Sequence, residues 1–174
     1  MVKVHATALV DPGAKLGTNV EIGPFCVIGP HVVLGDGVVV HSHASITSRT
    51  TLGAGCKVFP FVSLGAAPQD IKFHDEPSTL TIGSNTLIRE YVTINPGTDR
   101  GHMATKVGAN CFLMIGCHIA HDCDIGDRVP VVAWSQRKTR GRETRHRLQP
   151  ASRQRERVSG EQRIRRQIQR LCQQ

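Results

Sequence analysis

From Val4 to Leu64 every sixth residue is Val, Leu or Ile: Val4, Val10, Leu16, Ile22, Ile28, Leu34, Val40, Ile46, Leu52, Val58 and Leu64. The residues between them are largely Gly, Asp, Asn, Ser and His, so general hydrophobicity does not explain the run. A period of six matches neither a helix near 3.6 nor a plain strand at 2. It is the repeat of a whole structural unit, and it predicts a parallel β-helix whose coils stack over a continuous core.

The neighbouring positions define that unit. Two residues before each aliphatic the side chain is small or β-branched: Val2, Ala8, Ala14, Val20, Cys26, Val32, Val38, Ala44, Thr50, Cys56 and Val62. Residues two apart on a strand point the same way, so both positions face inward and the residue between them faces out. Gly commonly follows the aliphatic (Gly17, Gly23, Gly29, Gly35, Gly53, Gly65), which predicts a corner needing positive φ or close backbone approach. Three short strands then close one triangular coil of about eighteen residues.

The rhythm is interrupted twice. After Leu64 it returns at Ile82, Ile88 and Ile94, and the eighteen-residue step from Leu64 to Ile82 reads as one whole coil. The polar stretch 66–79 is expected to be a loop thrown out of the solenoid. A second loop, 97–105, shifts the phase by one residue, after which Val107, Leu113, Ile119, Ile125 and Val131 continue it. The domain reading is a hexapeptide-repeat β-helix over 1–131, followed by a non-repeat tail over 132–174.

Charge divides the chain at the same place. The tail holds thirteen of the 22 Lys and Arg residues and three of the fourteen Asp and Glu, whereas the repeat region is slightly acidic. The chain's net charge of +8 therefore describes the tail. High charge with few large apolar residues predicts disorder there, with Ile164, Ile168 and Leu171 allowing a short amphipathic helix. Trp134 is its lone aromatic, too little for a base-stacking platform, so no specific nucleic-acid partner is expected. A tail translated from a shifted reading frame would also account for so abrupt an end to the repeat, which sequencing the gene would test.

No stretch of about 18 apolar residues and no export signal is present, so the expectation is a cytoplasmic, non-membrane-spanning protein. Of the six cysteines, Cys26, Cys56, Cys111, Cys117 and Cys123 occupy the small inward position and read as reduced core residues. Cys111, Cys117 and Cys123 fall on successive faces of one coil, which argues against a shared metal.

Candidate chemistry concentrates in Gly116–Gly126. Cys117 and Ile119 point inward, so His118 points outward, and His121 and Asp122 fall at the following corner, also outside. A histidine beside a carboxylate is a common arrangement for a general base. His and Asp are equally ordinary corner residues on a solenoid, as His5, His41 and His43 illustrate, so spacing alone leaves both readings open.

Ile22–His31, the loop Pro68–Lys72, the segment Ile88–Ile94 and the block His118–Cys123 together resemble the UDP-N-acetylglucosamine O-acyltransferase family of lipid A biosynthesis. The resemblance runs to about residue 130. It implies a left-handed parallel β-helix, an exception to the usual crossover hand, and a homotrimer with sites in the grooves between subunits. It also implies transfer of a 3-hydroxyacyl chain from acyl carrier protein to the sugar 3-hydroxyl. His121 would be the general base and Asp122 its orienting partner. His118, Gln69, Asp70 and Lys72 would contact substrate. No metal or redox cofactor is implied, since the phosphopantetheine arm belongs to the donor. Asn95 stands where some relatives carry His, which suggests a role in chain selection.

The family continues past residue 130 with further coils bearing more histidines and an oxyanion-hole glycine, then a helical domain. None of these is recognisable in 132–174, so this chain is expected to show little or no activity. Rival readings are a glucosamine N-acyltransferase, an acetyl-CoA-dependent hexapeptide transferase, a zinc enzyme on the same scaffold, or a non-enzymatic structural solenoid. The loop around Gln69–Lys72 followed by Ile88–Ile94 favours the O-acyltransferase.

Overall fold

The computed structural model describes residues 1–132, and the expected tail disorder and short helix lie outside them. The chain winds as a three-sided solenoid of short parallel strands, most of them two residues long. One sheet runs from Lys3–Val4 to Pro130–Val131 in seven strands, a second from Leu9–Val10 to His118–Ile119 in six, and a third from Lys15–Leu16 to Asp124–Ile125 in six. In the regular coils each strand pairs with the strand eighteen residues on, as Val4 does with Ile22 and Ile22 with Val40.

The inward register is as the six-residue rhythm predicts. Val20, Cys26, Val32, Val38, Ala44, Val62 and their aliphatic partners from Ile22 to Val131 form one continuous buried core. The first coil is the exception among the described residues: Val4 is 46% exposed and Val10 and Leu16 are only partly buried. Cys111, Cys117 and Cys123 are buried beneath three different sheets. Burial pushes the Cys117 thiol up to about 11, as an inert core residue requires.

Two sequence expectations need correction. Ile82 does not begin a new coil after Leu64. It pairs with Leu52 in the third sheet, thirty residues away, whereas Leu64 lies in the second. The excursion therefore adds twelve residues to one coil. Twelve is two hexapeptides, so the inserted loop leaves the phase unchanged and resembles regular structure. The strands Thr79–Ile82 and Ala104–Val107, like Arg49–Leu52 with which the first pairs, are four residues long, so the two loops end at Ser78 and Met103.

The glycines act by close approach more than by conformation. A Cβ on Gly35 or Gly53 would lie 2.7 or 2.5 Å from a backbone nitrogen of the next coil. Of the six corner glycines, Gly65 alone has positive φ. At twelve corners a left-handed residue instead falls three positions after the aliphatic, at Asn19, Phe25, Gly37, His43, Gly55, Phe61, Asn85, Tyr91, Asn110, Gly116, Asp122 and Arg128. A left-handed conformation costs a residue with a side chain about 1–2 kcal/mol. Four of these residues stack in a column along one edge: Phe25–His43 at 5.0 Å, His43–Phe61 at 5.0 Å and Phe61–Tyr91 at 5.2 Å between ring centroids. Such contacts contribute about 0.5–1.5 kcal/mol each, comparable to the strain.

Candidate active site

The two loops and the paired His and Asp occupy one edge of the solenoid. Leu64, Ile94 and Ile119 are successive strand residues of the second sheet. The first loop leaves after Leu64, the second after Ile94, and the corner Ala120–His121–Asp122 follows Ile119. Each lies between the second and third sheets, stacked coil upon coil. This co-location was latent in the phase of the repeat and is what makes the edge a site.

At the corner, His121 Nδ1 and Asp122 Oδ2 are 2.8 Å apart, with His121 36% exposed and Asp122 13%. An ionised carboxylate only accepts hydrogen bonds, so Nδ1 carries the hydrogen and Nε2 of the neutral ring keeps its lone pair. Asp122 is ionised through all ordinary pH. Burial alone would raise its carboxyl, but hydrogen bonds from Thr98 Oγ1, His121 and the His102 and Thr98 N–H groups bring it down to about 2. The site thus holds a fixed anion behind an imidazole whose other nitrogen is directed away from it.

His118 lies on the strand His118–Ile119, facing outward and half-buried. A 2.7 Å hydrogen bond joins its Nδ1 to Thr93 Oγ1 on the neighbouring strand. Burial, and secondarily the nearby His121, lowers its pKa, which favours the neutral ring at pH 7.

The loop residues expected to contact substrate sit on the first excursion. Gln69 and Lys72 are exposed and Asp70 is half-buried. Asp70 Oδ1 accepts the Lys72 N–H at 3.0 Å, and the Asp70 carbonyl accepts the Phe73 N–H, forming a tight local turn. Ile71 at its tip is 97% exposed. The structure thus brings His118, His121 and Asp122 together on one coil and carries Gln69, Asp70 and Lys72 out from the same edge two coils below.

Two loop contacts escaped the sequence reading, which singled out Asn95 for chain selection only and did not name Thr98. Asn95 is 7% exposed, and its Nδ2 donates to the carbonyls of Ala66 and Ala67 at 2.9 and 3.2 Å, while its N–H donates to Ile119. It anchors the first loop to the coil below His121. Thr98 is 3% exposed and donates both N–H and hydroxyl to Asp122. Neither contact has a periodic signal, since each joins a loop to a coil across more than twenty residues.

Comparison with known proteins bears on the chemistry. A bacterial transferase hexapeptide model (six repeats) matches residues 1–36, 13–48 and 104–135. The chain is 48% identical over 124 residues to the acyl-[acyl-carrier-protein]–UDP-N-acetylglucosamine O-acyltransferase of Azorhizobium caulinodans, covering 71% of this chain and 46% of that protein. It is 47% identical over 122 residues to the Rickettsia bellii protein of the same name, covering 70% and 43%. The repeat region is a homologue of these acyltransferases. The UDP-N-acetylglucosamine acyltransferase structure from Campylobacter jejuni superposes with a TM-score of 0.71 at 40% identity, over 74% of this chain and 50% of that one. The Arabidopsis acyltransferase structure does so with a TM-score of 0.59 at 30% identity, over 73% and 52%. The architecture is accordingly the left-handed parallel β-helix expected from the resemblance. This chain spans a little under half the length of the curated acyltransferases it matches. Among the described residues no helix is long and apolar enough to cross a membrane.

Proposed function

We propose that this edge belongs to an O-acyltransferase that moves a 3-hydroxyacyl chain from acyl carrier protein to the 3-hydroxyl of UDP-N-acetylglucosamine, in lipid A biosynthesis. The observation that carries the reading is the hydrogen-bonded, outward-facing His121–Asp122 pair on a scaffold homologous to such enzymes. Nε2 of His121 accepts the sugar hydroxyl proton as the oxygen attacks the thioester carbonyl. Asp122 holds the Nδ1–H and stabilises the resulting imidazolium. Collapse of the tetrahedral intermediate breaks the carbon–sulfur bond, and the imidazolium returns its proton to the departing phosphopantetheine thiolate.

The remaining roles rest on the resemblance. His118, favoured in its neutral form, lies beside the reacting groups. Asp70 would accept hydrogen bonds from sugar hydroxyls, with Gln69 and Lys72 as further contacts from the same loop. No step calls on a metal or redox cofactor. The first loop projects from the edge that carries the histidines, which suits a site shared between copies of the chain in a homotrimer working in the cytoplasm.

The test is acyl transfer from 3-hydroxyacyl carrier protein to UDP-N-acetylglucosamine, measured for this chain and for the chain extended with the C-terminal coils of a longer homologue. In the extended form His121→Ala should lower kcat by about 10²–10⁴, the usual contribution of a general base. Turnover unchanged by that substitution would reject the assignment.

A further inference from the structure

Most corners share one backbone hydrogen bond, and the Asp122 corner departs from it. At eight corners the N–H of the left-handed residue donates to a backbone carbonyl of the corner below, as Gly55 does to Asp36, Asn85 to Ala54, Asn110 to Ser84 and Arg128 to Ala109, whereas the Phe25 N–H donates to the exposed Thr7 hydroxyl. At Asp122 the equivalent acceptor would be Pro96. The chain has turned away there into the second loop, so the Asp122 N–H donates instead to the buried hydroxyl of Thr105 at 2.9 Å. A side chain from inside the solenoid has replaced a backbone group.

The same loop then closes over the carboxylate. Oδ1 accepts the His102 N–H at 2.6 Å and the Thr98 N–H at 3.1 Å. Oδ2 accepts the Thr98 hydroxyl at 2.6 Å and His121 Nδ1 at 2.8 Å, with the Thr98 N–H shared at 3.2 Å. A carboxylate has about four lone-pair sites, and here three donors from the loop leave one for the imidazole. A Cβ on Gly101 would collide with the same carboxylate, so the loop is fitted to it sterically as well.

We infer that Thr98 and Thr105 are positioning residues for the His121–Asp122 pair: Thr105 fixes the backbone of Asp122 from within, and Thr98 fixes its carboxylate from without. Together they leave Asp122 one open direction, toward Nδ1, and so hold His121 in the tautomer with a bare Nε2. The inference deepens the general-base reading of His121 and rests on it for its catalytic meaning. The positioning itself is a property of the folded chain and is read without turnover.

The experiment uses the chain labelled with ¹⁵N-histidine, with His121 identified by the signal lost in His121→Ala. In the neutral form of the His121 ring, wild type should show Nδ1 protonated and Nε2 bare. Thr98→Val and Thr105→Val should each introduce a population with bare Nδ1, and Thr98→Val should move the Asp122 carboxyl titration up from about 2 toward the ordinary value near 3.9. Thr98→Ser should restore the wild-type spectrum. Thr50→Val is the matched control: Thr50 is equally buried in the same sheet, but its hydroxyl donates to Thr47, so His121 should not respond. Should Thr98→Val fail to fold by circular dichroism, Thr105→Val decides the matter with the same readout. A His121 spectrum unchanged in the folded valine variants overturns the proposal. A changed spectrum, with acyl transfer indifferent to His121→Ala, keeps the positioning and removes the base.

Discussion

The two excursions from the solenoid arise at the same edge, yet they are built on opposite plans. The first adds twelve residues, keeps the six-residue phase, and is stitched by its own turns and by Asn95. The second makes a coil of twenty-five residues, seven more than a regular one, shifts the phase by one, and is folded around a single carboxylate. A phase-preserving insertion leaves its flanking strands undisturbed and its tip exposed. A phase-breaking one removes a corner acceptor, and the polar groups it strands must be satisfied elsewhere. Here the stranded Asp122 N–H is taken by Thr105 and the loop's own donors by the Asp122 carboxylate that also orients His121, so loop order and site chemistry are coupled in the second excursion and separable in the first.

That contrast is most severely tested by Asp122→Ala. It strands the donors of Thr98 and His102 and is expected to destabilise the chain by about 2–4 kcal/mol. Amide exchange should rise at residues 98–102 and stay unchanged at 69–73. Equal loosening of both loops would dissolve the distinction.

Acid should act in the same place with a somewhat smaller effect. The Asp122 carboxyl titrates at about 2 in the folded chain against about 3.9 when unfolded. The folded state therefore binds fewer protons between these values. The contribution, on the order of 2 kcal/mol, is fully present above about pH 4 and is lost as pH falls toward 2. Urea unfolding at stepped pH measures it, and Asp122→Asn should flatten that part of the profile.

The first loop should respond to its own anchor. Asn95→Ala removes the donor to the Ala66 and Ala67 carbonyls and is expected to cost about 1–2 kcal/mol. Exchange should increase at residues 66–73 with the His121 tautomer preserved. Smallest of all, Lys72→Ala should change stability by less than about 0.5 kcal/mol, because the side chain is exposed. In the extended chain it should raise KM for the sugar nucleotide while sparing kcat. A fall in kcat alone would move Lys72 out of a binding role.

The six-residue rhythm contained most of the fold, because every inward position answers to the same local requirement. Val20, Cys56 and Ile119 could be assigned to the core from spacing alone, the outward direction of His118 followed from Cys117 and Ile119, and that of His121 from its corner between Ile119 and Cys123. What spacing could not reveal was of two kinds. The place of Ile82 was hidden because twelve is a multiple of six, so only strand pairing distinguishes an inserted loop from a coil. The roles of Thr98, Thr105 and Asn95 were hidden because they arise where the repeat is broken and depend on which groups the break leaves unpaired. The ring column was accessible, since Phe25, His43 and Phe61 recur every eighteen residues, but no inward-facing rule draws attention to corner side chains.

The weak burial of the first coil bears on how the described residues open. In a solenoid each coil is held by the coils above and below it, so stability is passed along the axis as in a zipper. Val4, Val10 and Leu16 are the least buried aliphatics of the six-residue series among the described residues, so opening events should reach them before the coils from Ile22 onward. The solenoid would then behave less as one cooperative block than as a graded column, its amides exchanging faster in the first coil than around the histidine pair.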